Sequence, residues 1–308
     1  METVKLFSKE IGYFILAMFF TLFFVVLCTE EIVVKTDDAP PRVVIYGYIT
    51  SDTMQHSIRI TRSAGYFTTE RPDGISNAEV TVTDDLGEVI IFSETEPGLY
   101  QTALNEYGIE GRTYTLDVYL DFDGKGVKEH YQSTAYLQRI NHIDSIDLRH
   151  APPPFINSVE VMLYAQDLPG QKNIYSIFVR INDSIVNPTI NRFFIMDNVL
   201  FSGQYMPGVG CYYLNQNPDH EYRNEVLHIG DTVTLNINAI SESYADFIGA
   251  VKSELGGSNP IFGGPPANVP TNIKHINSND GIPPVGFFTA YPSRYSYTIV
   301  KEDFSIKK

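Results

Sequence analysis

Tryptophan is absent from this chain, cysteine occurs only twice in 308 residues, and cations are scarce, with 22 Lys and Arg against 37 Asp and Glu. Each shortage excludes something. A formal charge of −15 leaves no basic surface to neutralise a row of phosphates, so nucleic acid is not a partner. Cys28 and Cys211 permit at most one disulfide, so there is no disulfide framework from which to read a compartment. If Cys28 is modified, Cys211 is left as a small buried hydrophobe. Without tryptophan, a sugar-binding surface would have to be built from Tyr and Phe.

Catalytic signatures are missing too. The chain has no G-x-S-x-G elbow, no H-E-x-x-H helix and no phosphate-binding G-x-x-x-x-G-K-[ST] loop. Its histidines (His56, His130, His142, His150, His220, His228 and His275) are scattered, and no pair has metal-ligand spacing. In DFDGKG (Asp121–Gly126), Asp121, Asp123 and Gly126 match calcium-loop positions, but Lys125 puts a cation where a ligand belongs and Gln132 replaces the bidentate Glu. A hairpin turn is expected there. No catalytic residue, metal site or cofactor follows, and the chain reads as a non-enzyme.

What the chain does have is aromatic and turn-forming. It carries 20 Tyr, 19 Phe, 18 Pro and 22 Gly, a composition of short strands joined by tight turns. At 43% hydrophobic and 19% charged it can bury a large core rather than remain a disordered polyelectrolyte.

The N-terminus places Lys5 and Lys9 before an unbroken apolar run, Ile11–Leu27. A basic region before such a run is a secretory signal, yet seventeen residues also reach the lower limit of a membrane span. Cys28 stands where a lipoprotein signal is cut and acylated, although Leu27 is bulkier than the small residue usual before that cysteine. From these residues alone, a lipid anchor at Cys28 and an uncleaved span stand level. An acidic tether, residues 28–41, follows and closes on Pro40 and Pro41.

Period-2 patterning starts at RVVIYGYIT (Arg42–Thr50) and continues through HSIRITRS (His56–Ser63). AEVTVTDDLGEVIIF (Ala78–Phe92) reads as a hairpin, with Val80 and Val82 inward, a turn at Asp85–Gly87, and Val89 and Ile91 on the return. PGLYQT (Pro97–Thr102) and GRTYTLDVYL (Gly111–Leu120) add strands, the latter with Tyr114, Leu116, Val118 and Leu120 on one face. The expected fold class is mainly β: an antiparallel immunoglobulin- or fibronectin-like sandwich over residues 42–140, then a second β-rich domain over 143–308. The boundary falls in IDSIDLRHAPPPF (Ile143–Phe155), whose prolines cannot continue a central strand.

In the second segment, Ser158–Asp167, Asn173–Asp183, Asp231–Ile240 and Gly286–Val300 read as strands. One amphipathic helix is expected over 243–255, started by Ser243 with Asp246, carrying Tyr244, Phe247, Ile248, Val251 and Leu255 on one face, and stopped by Gly256 and Gly257. A Pro/Gly/Asn-rich loop covers 256–285. Tyr66, Phe67, Tyr205 and Phe262 are the loop aromatics that could face a ligand, whereas tyrosines at alternating strand positions are expected in the core.

The layout as a whole resembles the DUF4249 family of secreted lipoproteins from Bacteroidota. The resemblance rests on VVIYGYITSD after an acidic tether, TRSAGYF, ISNAEVTVTDDLGE, GLYQT, GRTYTLDV, IDSI, ISESYADFI, SNPIFGGPPANVPTNI and GFFTAYPSRYS. It implies a signal peptide over 1–27, lipidation at Cys28 and an outer-membrane location, with Glu30 and Glu31 read equally as a surface-export signal or as the start of a solvated linker. It further implies an accessory or ligand-capture role beside a TonB-dependent receptor, with the ligand unidentified. A structural or adhesive surface protein, and a hydrolase whose site has no known signature, are the alternatives from other classes.

Overall fold

The structure, a computed structural model, describes residues 40–64, 72–170, 172–221, 223–255, 269–277 and 282–306. Cys28, Glu30, Glu31, the signal segment, all of the tether before Pro40, Tyr66, Phe67, Phe262 and most of the 256–285 loop lie outside these residues. Residues 41–308 cluster as one unit. The fold is mainly β, with one α-helix among the described residues. None of the described helices is long and apolar enough to cross a membrane.

Nine strands form the first sheet: β1 (Val43–Thr50), β2 (Ser57–Arg62), β3 (Glu79–Asp84), β4 (Val89–Glu96), β5 (Leu99–Gln101), β6 (Thr113–Leu120), β7 (Glu129–Tyr136), β15 (Lys274–His275) and β16 (Val285–Tyr291). Their order is β15-β7-β6-β3-β4-β5-β2-β1-β16. The sheet turns a corner on β4. Its first half, Val89–Phe92, pairs with β3, and Ser93–Glu96 pairs with β5 across a bulge. Both arms then bury one core, in which Ile45, Ile49, Ile58, Ile60, Val82, Leu116, Val118 and Tyr100 lie almost wholly out of solvent. The inward face expected of β6 is the observed one: Tyr114, Leu116, Val118 and Leu120 are all buried.

On the return strand of the first hairpin, Ile90 and Phe92 are buried, while Val89 and Ile91 are exposed. The turn is closed by hydrogen bonds between Asp84 and Glu88, which sets Val82 against Ile90 and Val80 against Phe92. Directly opposed residues share a face, so the turn length decides which alternate set goes inward.

A sandwich follows. β10 (Ile174–Ile181), β11 (Ser184–Ile185), β12 (Phe194–Asp197), β14 (Thr232–Ile240) and β17 (Ser293–Ile299) make one sheet; β8 (Ile143–His150), β9 (Ser158–Gln166) and β13 (Tyr205–Asn215) make the other. Val159, Val161 and Leu163 from one side meet Ile177, Val179, Val233, Leu235 and Ile237 from the other. Val233, Leu235 and Ile237 are alternate residues of β14 and share its core face. IDSIDLRH, expected at a boundary, is strand β8, with Ile146 and Leu148 buried. Tyr205, expected in a loop, opens β13.

Strands from the 42–140 and 143–308 segments share the nine-stranded sheet. β16 runs parallel to β1, with Val44 to Thr50 paired against Val285 to Tyr291. Phe288 and Ala290 thereby enter the first core. The approach is close enough to need glycine at Gly286, where φ is +105° and a Cβ would lie 2.0 Å from the Ile45 carbonyl oxygen. On the other edge of β16, the Asn272 side chain donates to the Phe288 carbonyl at 2.7 Å and accepts from its N–H at 3.0 Å. Those bonds cover backbone that would otherwise be an open edge.

The helix, α1 (Glu242–Leu255), starts earlier than the Ser243 cap expected from sequence. The Ser241 hydroxyl accepts the Tyr244 N–H at 3.2 Å, and the Ser241 carbonyl begins the helical ladder. Tyr244, Phe247 and Ile248 bury one face against Ile174, Ile240 and Phe287, whereas Leu255 is exposed. The helix therefore fills the seam between the two sheets that β10 and β16 belong to.

Cys211 is fully buried on β13, its thiol donating to the Val161 carbonyl at 3.3 Å. Burial, aided by the Glu160 charge, pushes the thiol up to about 12. Because the thiolate is the reactive form, the native protein is expected to resist iodoacetamide at mildly alkaline pH and to gain one adduct at Cys211 only when denatured. Mass spectrometry of labelled native and denatured samples checks this.

Candidate functional site

Alternation gives every strand two faces, and β1 uses both. Ile45, Gly47 and Ile49 point into the first core, so Tyr46, Tyr48 and Thr50 point away from it. On the sandwich sheet, the residues opposite the core also form cross-strand rows. Phe178 pairs with Asn236 and Asn236 with Tyr295; the next row is Ser176, Asn238 and Ser293. These two outward faces meet over a cleft of ≈ 270 Å³. Tyr244 from α1 and Tyr291 from β16 also line it.

The tyrosines are packed in series. The Tyr48 and Tyr291 rings stack with centroids 5.7 Å apart, and Tyr291 and Tyr244 at 6.4 Å. The Tyr46 and Tyr244 hydroxyls share a hydrogen bond at 2.7 Å. Tyr295, half exposed at the rim, donates to Asp52 Oδ2 at 2.5 Å. Burial raises the hydroxyl pKa of Tyr46, Tyr48, Tyr244 and Tyr291. At Tyr295, burial and then Asp52 push it up to about 12. All five are therefore neutral hydroxyls at physiological pH, able to donate and to accept.

The sign of the linkage follows. A phenol whose pKa is raised by folding contributes stability in full below its ordinary value of 10.0, and loses it as pH climbs through the folded value. The melting temperature is expected to hold up to about pH 10 and to drop above it, with tyrosinate absorbance rising together with unfolding. A thermal-melt series at alkaline pH checks both.

The remaining lining groups are polar. Asn236 Nδ2 donates to Asn238 Oδ1 at 3.2 Å and to the Arg294 carbonyl at 3.3 Å. Its own Oδ1 accepts no hydrogen bond from a described residue. Arg180, beside Phe178 on β10, is half-buried and is the one cation among the described lining residues. Asp52 is the one carboxylate among them and is held by Tyr295. Hydrolysis of a glycosidic bond in the usual way uses two carboxyls at a defined separation, which one carboxylate does not provide. The described lining residues offer stacking, hydrogen bonding, one positive charge and one carboxylate.

The other sequence-derived candidates lie elsewhere. DFDGKG is the turn between β6 and β7: Asp121 and Asp123 accept the backbone N–H groups of Lys125 and Gly126, and Lys125 pairs with Asp123 at 2.6 Å. Tyr205 does not line the cleft. Among the described residues no cluster of His, Cys, Asp and Glu could hold a metal ion. Four of the five cleft tyrosines, Tyr46, Tyr48, Tyr291 and Tyr295, occupy strand positions that were expected in the core, and Tyr244 lies on the apolar face expected of α1. The legible signal was Tyr46 and Tyr48 on the face of VVIYGYIT opposite its aliphatic residues, where a solvated strand would carry polar side chains.

A family model described as Domain of unknown function (DUF4249) matches residues 29–295. No curated protein matches the chain.

Proposed function

The chain belongs to the DUF4249 family, and from that premise we propose that it is a non-enzymatic lipoprotein of the outer membrane that captures a small ligand in the tyrosine-lined cleft for a TonB-dependent uptake system. The observation that carries the capture role is the cleft itself, five neutral tyrosines and open polar groups set on two sheets and one helix. Ligand sites are typically concave, preformed and lined by aromatic groups with a few polar ones. The membrane role rests on the N-terminal sequence: a basic and apolar leader, Cys28 at its end, and the family match beginning at the next residue, Thr29. Glu30 and Glu31 would then form a surface-export signal directly after the anchor.

Purification from native membranes in mild detergent tests the reading. Intact mass is expected to show a diacyl or triacyl Cys28 as the first residue, and a β-barrel receptor is expected to co-purify. A species that retains Met1 overturns the anchor, and consistent isolation without a barrel overturns the uptake role.

A further inference from the structure

Arg180 stands out by its lack of a partner. In a chain with 37 carboxylates to 22 basic side chains, its guanidinium makes no hydrogen bond or ion pair with any described residue, although it is half-buried. The nearest anion in the cleft, Asp52, is already engaged by the Tyr295 hydroxyl at 2.5 Å. A guanidinium presents a rigid fork of donors that matches a carboxylate, and here that fork opens into a lined space.

The rest of the cleft narrows the chemistry. A bound peptide would need apolar pockets for its anchoring side chains, but only Met54 and Ile185 among the described lining residues are aliphatic. A nucleotide would need several donors or cations around its phosphates, and the cleft has one cation. Tyrosine rings, partly buried at Tyr46, Tyr48 and Tyr291 and half exposed at Tyr295, flanked by amide and hydroxyl groups, suit a ring that offers a C–H face to stack on and hydroxyls to bond. At ≈ 270 Å³, the space falls just under the roughly 300–1,000 Å³ of drug-sized sites and fits one or two rings.

We propose that the cleft binds a saccharide carrying a carboxylate, with Tyr48 stacking on the sugar ring, Asn236 bonding its hydroxyls and Arg180 pairing with its anionic group. This rests on the capture reading above and gives it a substrate class. The protein's overall charge of −15 repels anions at long range, so the selectivity resides in this one local contact.

Isothermal titration of the full mature chain against digalacturonate and against its methyl ester separates the possibilities, since the ester keeps the skeleton and removes the charge. The acid is expected to bind roughly tenfold or more tightly than the ester, the range of one charge-assisted hydrogen-bonded contact. Arg180→Gln, which breaks no internal bond, is expected to bring the acid down to the level of the ester. Tyr48→Ala is expected to weaken both. Equal binding of acid and ester, or an unchanged affinity in Arg180→Gln, overturns the charged-sugar inference and leaves capture standing. Binding that survives Tyr48→Ala places the sugar outside the cleft and overturns the inference, and binding of neither compound overturns both.

Discussion

Residues 42–140 expressed alone are expected not to fold, although their sequence reads as a self-sufficient sandwich. The reason is what the C-terminal segment adds to them. Seven residues of β1, Val44 to Thr50, pair with β16, and without that strand their backbone is left as an open edge. Phe288 and Ile273, both from beyond residue 143, are buried in the same core as Ile45 and Ile58. Emptying a buried Phe site costs about 3–5 kcal/mol and a buried Ile site about 2–5 kcal/mol. Their sum, about 5–10 kcal/mol, is comparable to the roughly 5–15 kcal/mol that separates a folded domain from its unfolded chain, before the lost hydrogen bonds are counted. Thermal circular dichroism and an amide correlation spectrum of the fragment are expected to show no cooperative transition and poor dispersion. A fragment with a sharp melt and dispersed amides would overturn the shared-core account.

The same pairing explains what could and could not be read from the chain. Strand faces were legible wherever one face is aliphatic and the other polar, as in Tyr114, Leu116, Val118 and Leu120, because burial then has a single local solution. The face of α1 was legible for the same reason, through Tyr244, Phe247 and Ile248. The inward set of the return strand was not legible, because both alternate sets of VIIF, Val89 with Ile91 and Ile90 with Phe92, are apolar and only the turn register chooses Ile90 and Phe92. β8 was obscured because only Ile146 and Leu148 of its eight residues are buried. The contact between β1 and β16 joins residues some 240 positions apart, and nothing local marks it.

The cleft was hidden by the dual character of tyrosine. An aromatic residue at an alternating position fits a core equally well, and its hydroxyl equally fits a wet surface. Tyr46 and Tyr48 could be placed on the outward face of β1 from sequence. Whether that face met water or a second sheet depended on where β14 and β17 lie, a fact of tertiary arrangement. Arg180 is the parallel case. Its position on the outward face of β10 follows from alternation with Val179 and Ile181, but that no described carboxylate pairs with it emerges only from the tertiary arrangement.

Asp167→Ala is expected to be the most damaging single substitution in the sandwich half. Asp167, at the end of β9, is 1% exposed, and no cation among the described residues pairs with it. Its charge is held instead by four donors. The Tyr175 hydroxyl donates to Oδ1 at 2.5 Å and Asn173 Nδ2 at 3.3 Å. Asn198 Nδ2 and the Gly203 N–H both donate to Oδ2 at 2.8 Å. Asn198 in turn accepts the Asn173 N–H at 3.0 Å. One carboxylate thus ties the end of β9, the start of β10 and the turns on either side of the segment leading into β13. Removing it takes this acceptor from four donors, three of them in buried bonds, and a buried donor left unmade costs about 1–3 kcal/mol. Partial relaxation and entering water recover some of that, so a loss of about 4 kcal/mol or more is expected in urea denaturation, at the extreme of single substitutions. Asp167→Asn keeps the shape but turns an N–H₂ toward one pair of donors, so about half that loss is expected. The ordering Ala worse than Asn separates a hydrogen-bond hub from simple packing. If both variants unfold at the wild-type midpoint, the network is not what holds this end of the sandwich together.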